Sequence, residues 1–193
     1  PYKARLTFAA AGSEQEIRIA TARAESDGTV RLKATVRSPA SGLNWAFDGR
    51  LAGMQDKPSI TGDLTAKLPL ATTDRKGGKA GEDQFDLKAT LTADAAGFEV
   101  GDLALGIEHG GRPQLLTGSV RGVWRDATAV DVALSSHWLD LDGIAGSAEK
   151  APMSIVRRLA DGLERLPRTV KMSIKTVVEQ ASIGGDVASN VVL

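Results

Sequence analysis

Apolar and polar positions trade places at every step through most of this chain, the period of a strand with one buried and one wet face. In YKARLTF, Tyr2, Ala4, Leu6 and Phe8 share one side while Lys3, Arg5 and Thr7 share the other. In TVRLKATVR, Val30, Leu32, Ala34 and Val36 oppose Thr29, Arg31, Lys33, Thr35 and Arg37. LNWAFDGRL sets Leu43, Trp45, Phe47 and Leu51 against Asn44, Asp48 and Arg50. FDLKATL sets Phe85, Leu87, Ala89 and Leu91 against Asp86, Lys88 and Thr90. AVDVAL and VKMSIKTV follow the same plan. LLTGSVRGVWRDATAVDVALSSHWLDLDGI, at 115–144, alternates, turns at a charged pair and alternates again. One-sided strands of this kind predict an all-β, antiparallel sheet.

Turn residues punctuate the runs. SDG at 26–28 is a tight hairpin signal, since Asp and Gly tolerate positive φ. DAAG at 94–97 and EHGGRP at 108–113 are further turns, and the polar TTDRKGGKAGED at 72–83 predicts a flexible surface loop. One stretch changes period. In APMSIVRRLADGLERLP, Ile155, Leu159, Leu163 and Leu166 recur at three or four positions between Pro152 and Pro167. That spacing predicts one short amphipathic helix near 152–166, lying across a sheet or capping its end. SITGDL at 59–64 and LLTGSV at 115–120 echo one another, with a glycine where a strand bends or bulges. The whole is expected to be a single β domain over 1–193. Periodicity leaves open whether the apolar face closes a β-sandwich against another or stays uncovered.

Composition removes several classes of function. Twenty-four basic residues balance 24 acidic ones, so no overall basic field attracts nucleic acid, and none is expected as a partner. With no cysteine there are no disulfides, thiolate metal sites or cysteine nucleophiles. No run approaches the roughly 20 apolar residues of a membrane-spanning helix. The chain starts at Pro1 and ends within the strand-like VASNVVL, from which a fragment of a longer protein is expected, with any anchor upstream.

Residues able to perform chemistry are few and scattered. His109 lies in the turn EHGG, and His137 precedes WLDLD, near enough in sequence to meet Asp140 or Asp142. Asp140 and Asp142, spaced i and i+2, fall on one strand face, where paired carboxylates can serve glycoside hydrolysis. The simpler account is that they complete the alternation with Leu139 and Leu141. DLDG lacks the remaining ligands of a calcium loop. GGKAGED lacks the GK[ST] ending of a phosphate loop. Ser135 and Ser136 have no base nearby in sequence, and Arg157 and Arg158 belong to the wet side of the predicted helix. No catalytic residue, cofactor or metal site is therefore expected, and the chain is read as no enzyme.

FEVGDLALGIEHGGRPQLLTGSVRGVW, SSHWLDLDGIAG and VKMSIKTVVEQASIGGDVASNVVL, in that order, resemble the recurrent hairpin unit, the closing strand and the reopening segment of the AsmA family of bacterial envelope proteins, relatives of the TamB-like bridge proteins. LNWAFDGRLAGMQDKPSITGDLTAKL is similar to an earlier copy of the unit. The motifs are soft patterns of alternation, glycine and Leu-Asp, and their order carries the resemblance. It implies a strongly curved sheet or groove in the periplasm, tethered to the inner membrane through a segment missing from this chain. It implies a role in outer-membrane biogenesis and in phospholipid transport or homeostasis, with other envelope proteins as partners. It implies no catalytic residues. Phospholipid acyl chains would lie on the apolar side, with Leu87, Leu91, Leu103, Leu105, Ile107, Val132 and Leu134 as the lipid-facing residues. Small Ala34, Ala89 and Ala104 would leave room for them. Self-association through exposed edge strands is a further expectation.

Overall fold

The computed structural model describes residues 1–10, 13–39, 42–53, 55–69, 84–109, 112–124, 128–145 and 171–192. Each alternating run forms a strand. β1 (Lys3–Ala10), β2 (Ser13–Thr21), β3 (Val30–Ser38), β4 (Leu43–Ala52) and β5 (Ser59–Pro69) come first. β6 (Gln84–Asp94), β7 (Gly97–His109), β8 (Arg112–Val123) and β9 (Ala129–Asp140) follow, then a single helical turn, α1 (Leu141–Ala145). β10 (Lys171–Ile183) and β11 (Asp186–Val192) complete the chain. All eleven strands lie in one sheet, in sequence order, with β1 and β11 at its two edges, so the sheet is not closed into a barrel.

The turns between strands are local. Gly28 takes φ 80 at the end of SDG, as a tight turn requires. Asp27 Oδ1 accepts the Thr29 N–H there at 2.9 Å. That backbone bond, and a second from the Thr29 side chain, hold the Asp27 carboxyl below the usual aspartate range. In the DAAG turn, Asp94 Oδ1 accepts the N–H groups of Ala96 and Gly97, at 2.7 and 3.1 Å. The loop expected at 72–83 and the helix expected at 152–166 lie outside the described residues.

One pairing departs from the all-antiparallel expectation. β9 and β10 run parallel, Lys171 beside Ala129 and Ser182 beside Asp140. A parallel neighbour demands a long return connection, and here it is the segment 141–170, which opens with α1. WLDLDG was expected to continue as strand. Instead β9 stops at Asp140, whose Oδ1 accepts the Gly143 N–H at 2.9 Å and so starts α1.

The closed β-sandwich is not the fold. Among the described residues there is one layer, and substantial packing occurs only between hydrogen-bonded strand neighbours and between α1 and β10. The sheet is a curved, open one. Most of its apolar side is half-buried.

Candidate functional site

Register determines what shares a face. One row crosses all eleven strands: Leu6, Ile17, Val36, Trp45, Ala66, Leu87, Leu105, Leu116, Ser136, Val178 and Val191. Only Ser136 interrupts its apolar run. Another row on the same face joins Leu91, Val100, Val120, Val132 and Ile174, and between the two lie Leu103, Gly118, Leu134 and Thr176. The seven residues expected to face lipid, Leu87, Leu91, Leu103, Leu105, Ile107, Val132 and Leu134, all fall on this face. Six are half-buried, and Ile107 is 5% exposed. Ala34 and Ala89 share the face, between Val36 and Leu32 and between Leu87 and Leu91. Ala104 does not. It pairs with Lys88 and Thr117 on the polar side, because it alternates with Leu103 and Leu105.

A strict alternation would have split this face. Phe98 and Val100 are even-numbered, whereas Leu103, Leu105 and Ile107 are odd-numbered. β7 absorbs the slip with one extra residue: its register shifts between Val100 and Leu103 against β8, and against β6 at Lys88 and Thr90. Asp102 there takes φ 48, a left-handed conformation Asp tolerates better than most residues. The bulge returns both halves of β7 to one side and adds local twist, which bends a sheet.

Three glycines on this face, Gly49, Gly62 and Gly122, are covered by aromatic rings. Gly49 pairs with Gly62, and a Cβ on either would strike the Phe47 ring and backbone of the neighbouring strand. Phe47 is 4% exposed, buried by lying over that glycine pair. Phe98 covers its cross-strand partner Gly122 in the same manner, and its ring centroid lies 5.5 Å from that of Trp124. An aromatic over a cross-strand glycine restores packing that the glycine alone would lose.

The face is unevenly filled. Toward β9–β11, Ile107, Leu116, Leu139, Leu141, Val178 and Ala181 form a buried cluster. β9 breaks step there. Ser136 Oγ lies 2.9 Å from the Leu115 carbonyl and 2.7 Å from the Trp138 carbonyl, donating its proton between them, and beyond it Leu139 is buried. Gln114, 4% exposed, accepts the Asp140 N–H through Oε1 at 2.6 Å, while its Nε2 has no hydrogen-bond partner among the described residues. Toward β1 the face opens: Leu6 is 57% exposed and Phe8 44%.

The opposite face carries charge. Lys33 pairs with Asp48 directly across β3 and β4, at 2.6 Å, and Lys67 with Asp86 across β5 and β6, at 3.3 Å. Arg121 meets Glu99 across β7 and β8. Near β1, Glu16 accepts from both Arg18 and Arg5, each at 2.5 Å. The Arg18 hydrogen bond, with the charges of Arg18, Arg5 and Arg37, holds the Glu16 carboxyl below the usual glutamate range against a desolvation effect that raises it. The same contact raises the Arg18 guanidinium further above its ordinary value. A shallow depression beside this pair is lined by Lys3, Arg5, Arg18 and Lys33.

The candidate chemical groups are not brought together. Asp140 caps α1. Asp142 accepts the N–H groups of Gly184 and Gly185, at 2.7 and 2.9 Å, and the Ser182 hydroxyl at 2.9 Å, so it clasps the β10–β11 turn. The two carboxylates therefore do not share a strand face, because the chain turns helical between them. His137 meets neither. Its Nδ1 lies 2.6 Å from Glu179 on the neighbouring strand, with both side chains exposed. The Ser135 hydroxyl lies 3.1 Å from that of Thr117. His109 ends β7, and its side chain, like GGKAGED, Arg157 and Arg158, lies outside what is described. Among the described residues no three His, Asp or Glu side chains gather as a metal site would need. The Asp142 clasp was not anticipated; the signal for it was the GG pair at 184–185, a turn that needs an acceptor for its N–H groups.

Comparison with protein-family models, with curated proteins and with solved structures gave no match.

Proposed function

We propose that this chain is a non-enzymatic segment of an AsmA-like envelope protein whose open apolar face holds phospholipid acyl chains. The reading places it in the periplasm, tethered to the inner membrane through sequence outside this chain, and working with other envelope proteins in outer-membrane biogenesis and lipid transport or homeostasis. The observation that supports it is the apolar row crossing eleven strands of a single-layer sheet. Such a face gains free energy only when something apolar covers it. An acyl chain does so at about 0.8 kcal/mol per buried methylene, so a dozen methylenes supply on the order of 10 kcal/mol before the ordering cost. No hydrogen bond is needed, and the polar headgroup stays in water at the rim. Asp140 and Asp142, the paired carboxylates a hydrolase would use, instead cap α1 and clasp a turn.

The test is extraction and mass spectrometry of lipid from protein purified without detergent, with photoreactive residues at Leu105 and, as a control on the opposite face, at Ala104. Phospholipid crosslinked at Leu105 and not at Ala104 is expected. Protein that is consistently empty, or equal labelling at both positions, overturns the reading.

A further inference from the structure

We propose that the polar face of β1–β4 rests on an anionic phospholipid surface, its surplus of arginine and lysine set against the headgroup phosphates. This concerns the face opposite the one proposed to hold acyl chains, and it does not depend on that reading. The neutrality of the chain conceals a polarity along it. Residues 1–58 carry nine basic and six acidic side chains, which leaves 15 basic and 18 acidic of the 24 of each kind for residues 59–193. Register concentrates the basic excess on one face. Lys3 shares a row with Ala20, Lys33 and Asp48, and there the one carboxylate pairs with Lys33. The next row, Arg5, Arg18, Thr35 and Ala46, has no acid, and the row beyond it sets Glu16 beside Arg37. Glu16 therefore serves three guanidiniums: Arg5 and Arg18 as ion pairs and Arg37 as its cross-strand neighbour. On the other side of the Lys3 row, exposed Arg31 lies directly opposite exposed Arg50, and neither has an ion pair among the described residues. Like charges so placed destabilise a sheet. A layer of phosphates relieves them.

The setting of these cations selects the partner. Between them stand Thr7, Ala20, Thr35, Asn44 and Ala46, so this face offers none of the large apolar anchors on which protein interfaces turn. Single-stranded nucleic acid binds by stacking on aromatic rings, yet Phe8, Trp45 and Phe47 lie on the opposite face. What remains is cations on long flexible stems, spread over four strands and about 15 Å across. Among them a shallow depression lined by Lys3, Arg5, Arg18 and Lys33 can seat a headgroup phosphate. Mobile anionic headgroups gather beneath such a pattern, and each basic side chain close to the leaflet adds to the attraction. The surplus of nine basic over six acidic side chains should favour anionic over neutral vesicles roughly 100-fold at low salt. The acidic surplus of residues 59–193 is repelled by the same surface, which turns the basic end toward it.

The experiment is sedimentation of the whole 193-residue chain with vesicles of phosphatidylglycerol and phosphatidylcholine, against vesicles of phosphatidylcholine alone. Binding to the anionic vesicles is expected, and it should fall as salt rises. Arg31→Gln with Arg50→Gln should weaken it roughly 30-fold, and Arg31→Lys with Arg50→Lys should retain it. Lys171→Gln with Lys175→Gln removes as much charge from exposed positions on β10 and should change binding little. Circular dichroism checks that each doubly substituted chain stays folded, and relief of the Arg31–Arg50 repulsion predicts no loss of stability for the first. Leu91→Glu alters the apolar face and should leave the preference for anionic vesicles intact, so failure of the acyl-chain reading and failure of this one are told apart. Equal binding to the two kinds of vesicle overturns the proposal. So does a loss from Lys171→Gln with Lys175→Gln as large as that from the two arginines, or an affinity for a single-stranded oligonucleotide that matches the affinity for the anionic vesicles.

Discussion

Gly62 sits where a side chain has no room: its own strand partner is Gly49, and the Phe47 ring lies over both. Gly62→Val would drive a branched side chain into neighbouring backbone and displace a buried ring, costing about 1–3 kcal/mol. Urea unfolding should show the loss as an earlier midpoint, with the slope unchanged. The Thr-Gly echo in the sequence flagged this position and Gly118, but not the ring that covers Gly62, because Phe47 reaches it from the adjacent strand. Glu16 makes a different kind of residue-level statement. Its carboxyl is held below the ordinary range by Arg18, Arg5 and Arg37. A depressed folded-state pKa stabilises the fold above the unfolded glutamate pKa, and that stability is lost as pH falls through the lower folded value. Glu16→Gln should therefore weaken the β1–β2 hairpin at neutral pH and make little difference in acid. Hydrogen exchange of the β1 amides at the two pH values checks the sign.

Among the elements, β7 has the most to say about how patterning becomes shape. Its apolar residues change parity between Val100 and Leu103, a slip visible in the sequence at Gly101 and Asp102. The extra residue that absorbs it is a property of pairing on both sides. Deleting Asp102 should turn Leu103, Leu105 and Ile107 toward the polar face, since a shift of one residue inverts every side chain beyond it. Loss of soluble, folded protein is the expected outcome, read by circular dichroism and light scattering. α1 and the β10–β11 turn form the other informative pair. The Leu-Asp alternation of WLDLD reads as strand. That expectation fails at Asp140 because its side chain accepts the Gly143 N–H and commits the chain to a helical turn. Asp142 then meets a turn some forty residues later, a contact no local pattern contains. Asp142→Ala removes a charged acceptor from two glycine amides and a hydroxyl, and should cost about 2 kcal/mol. Faster exchange at Gly184 and Gly185 would localise the effect, and no catalytic phenotype is expected from it.

At the scale of the whole molecule, an uncovered apolar face should declare itself in solution. An environment-sensitive apolar dye should bind the folded chain, be displaced by a long-chain fatty acid, and bind less to Leu91→Glu; salt should affect this binding little, since the face is uncharged. A folded chain that leaves the dye dark would count against an accessible face. The alternating side chains were enough, by themselves, to determine that this protein is β-sheet and where most strands lie, because a strand's two-residue period is local and each run records it. Bringing Leu87, Leu91, Leu103, Leu105, Ile107, Val132 and Leu134 to one side took the pairing register and the extra residue in β7. Only the tertiary structure decided that the sheet is one open layer and not two, that β10 returns parallel to β9, and that Asp140 and Asp142 serve a cap and a clasp. The reason is physical: what covers a face, and which strand lies beside which, depends on contacts between residues far apart in the chain, and periodicity is the same whether an apolar side meets protein or stays open.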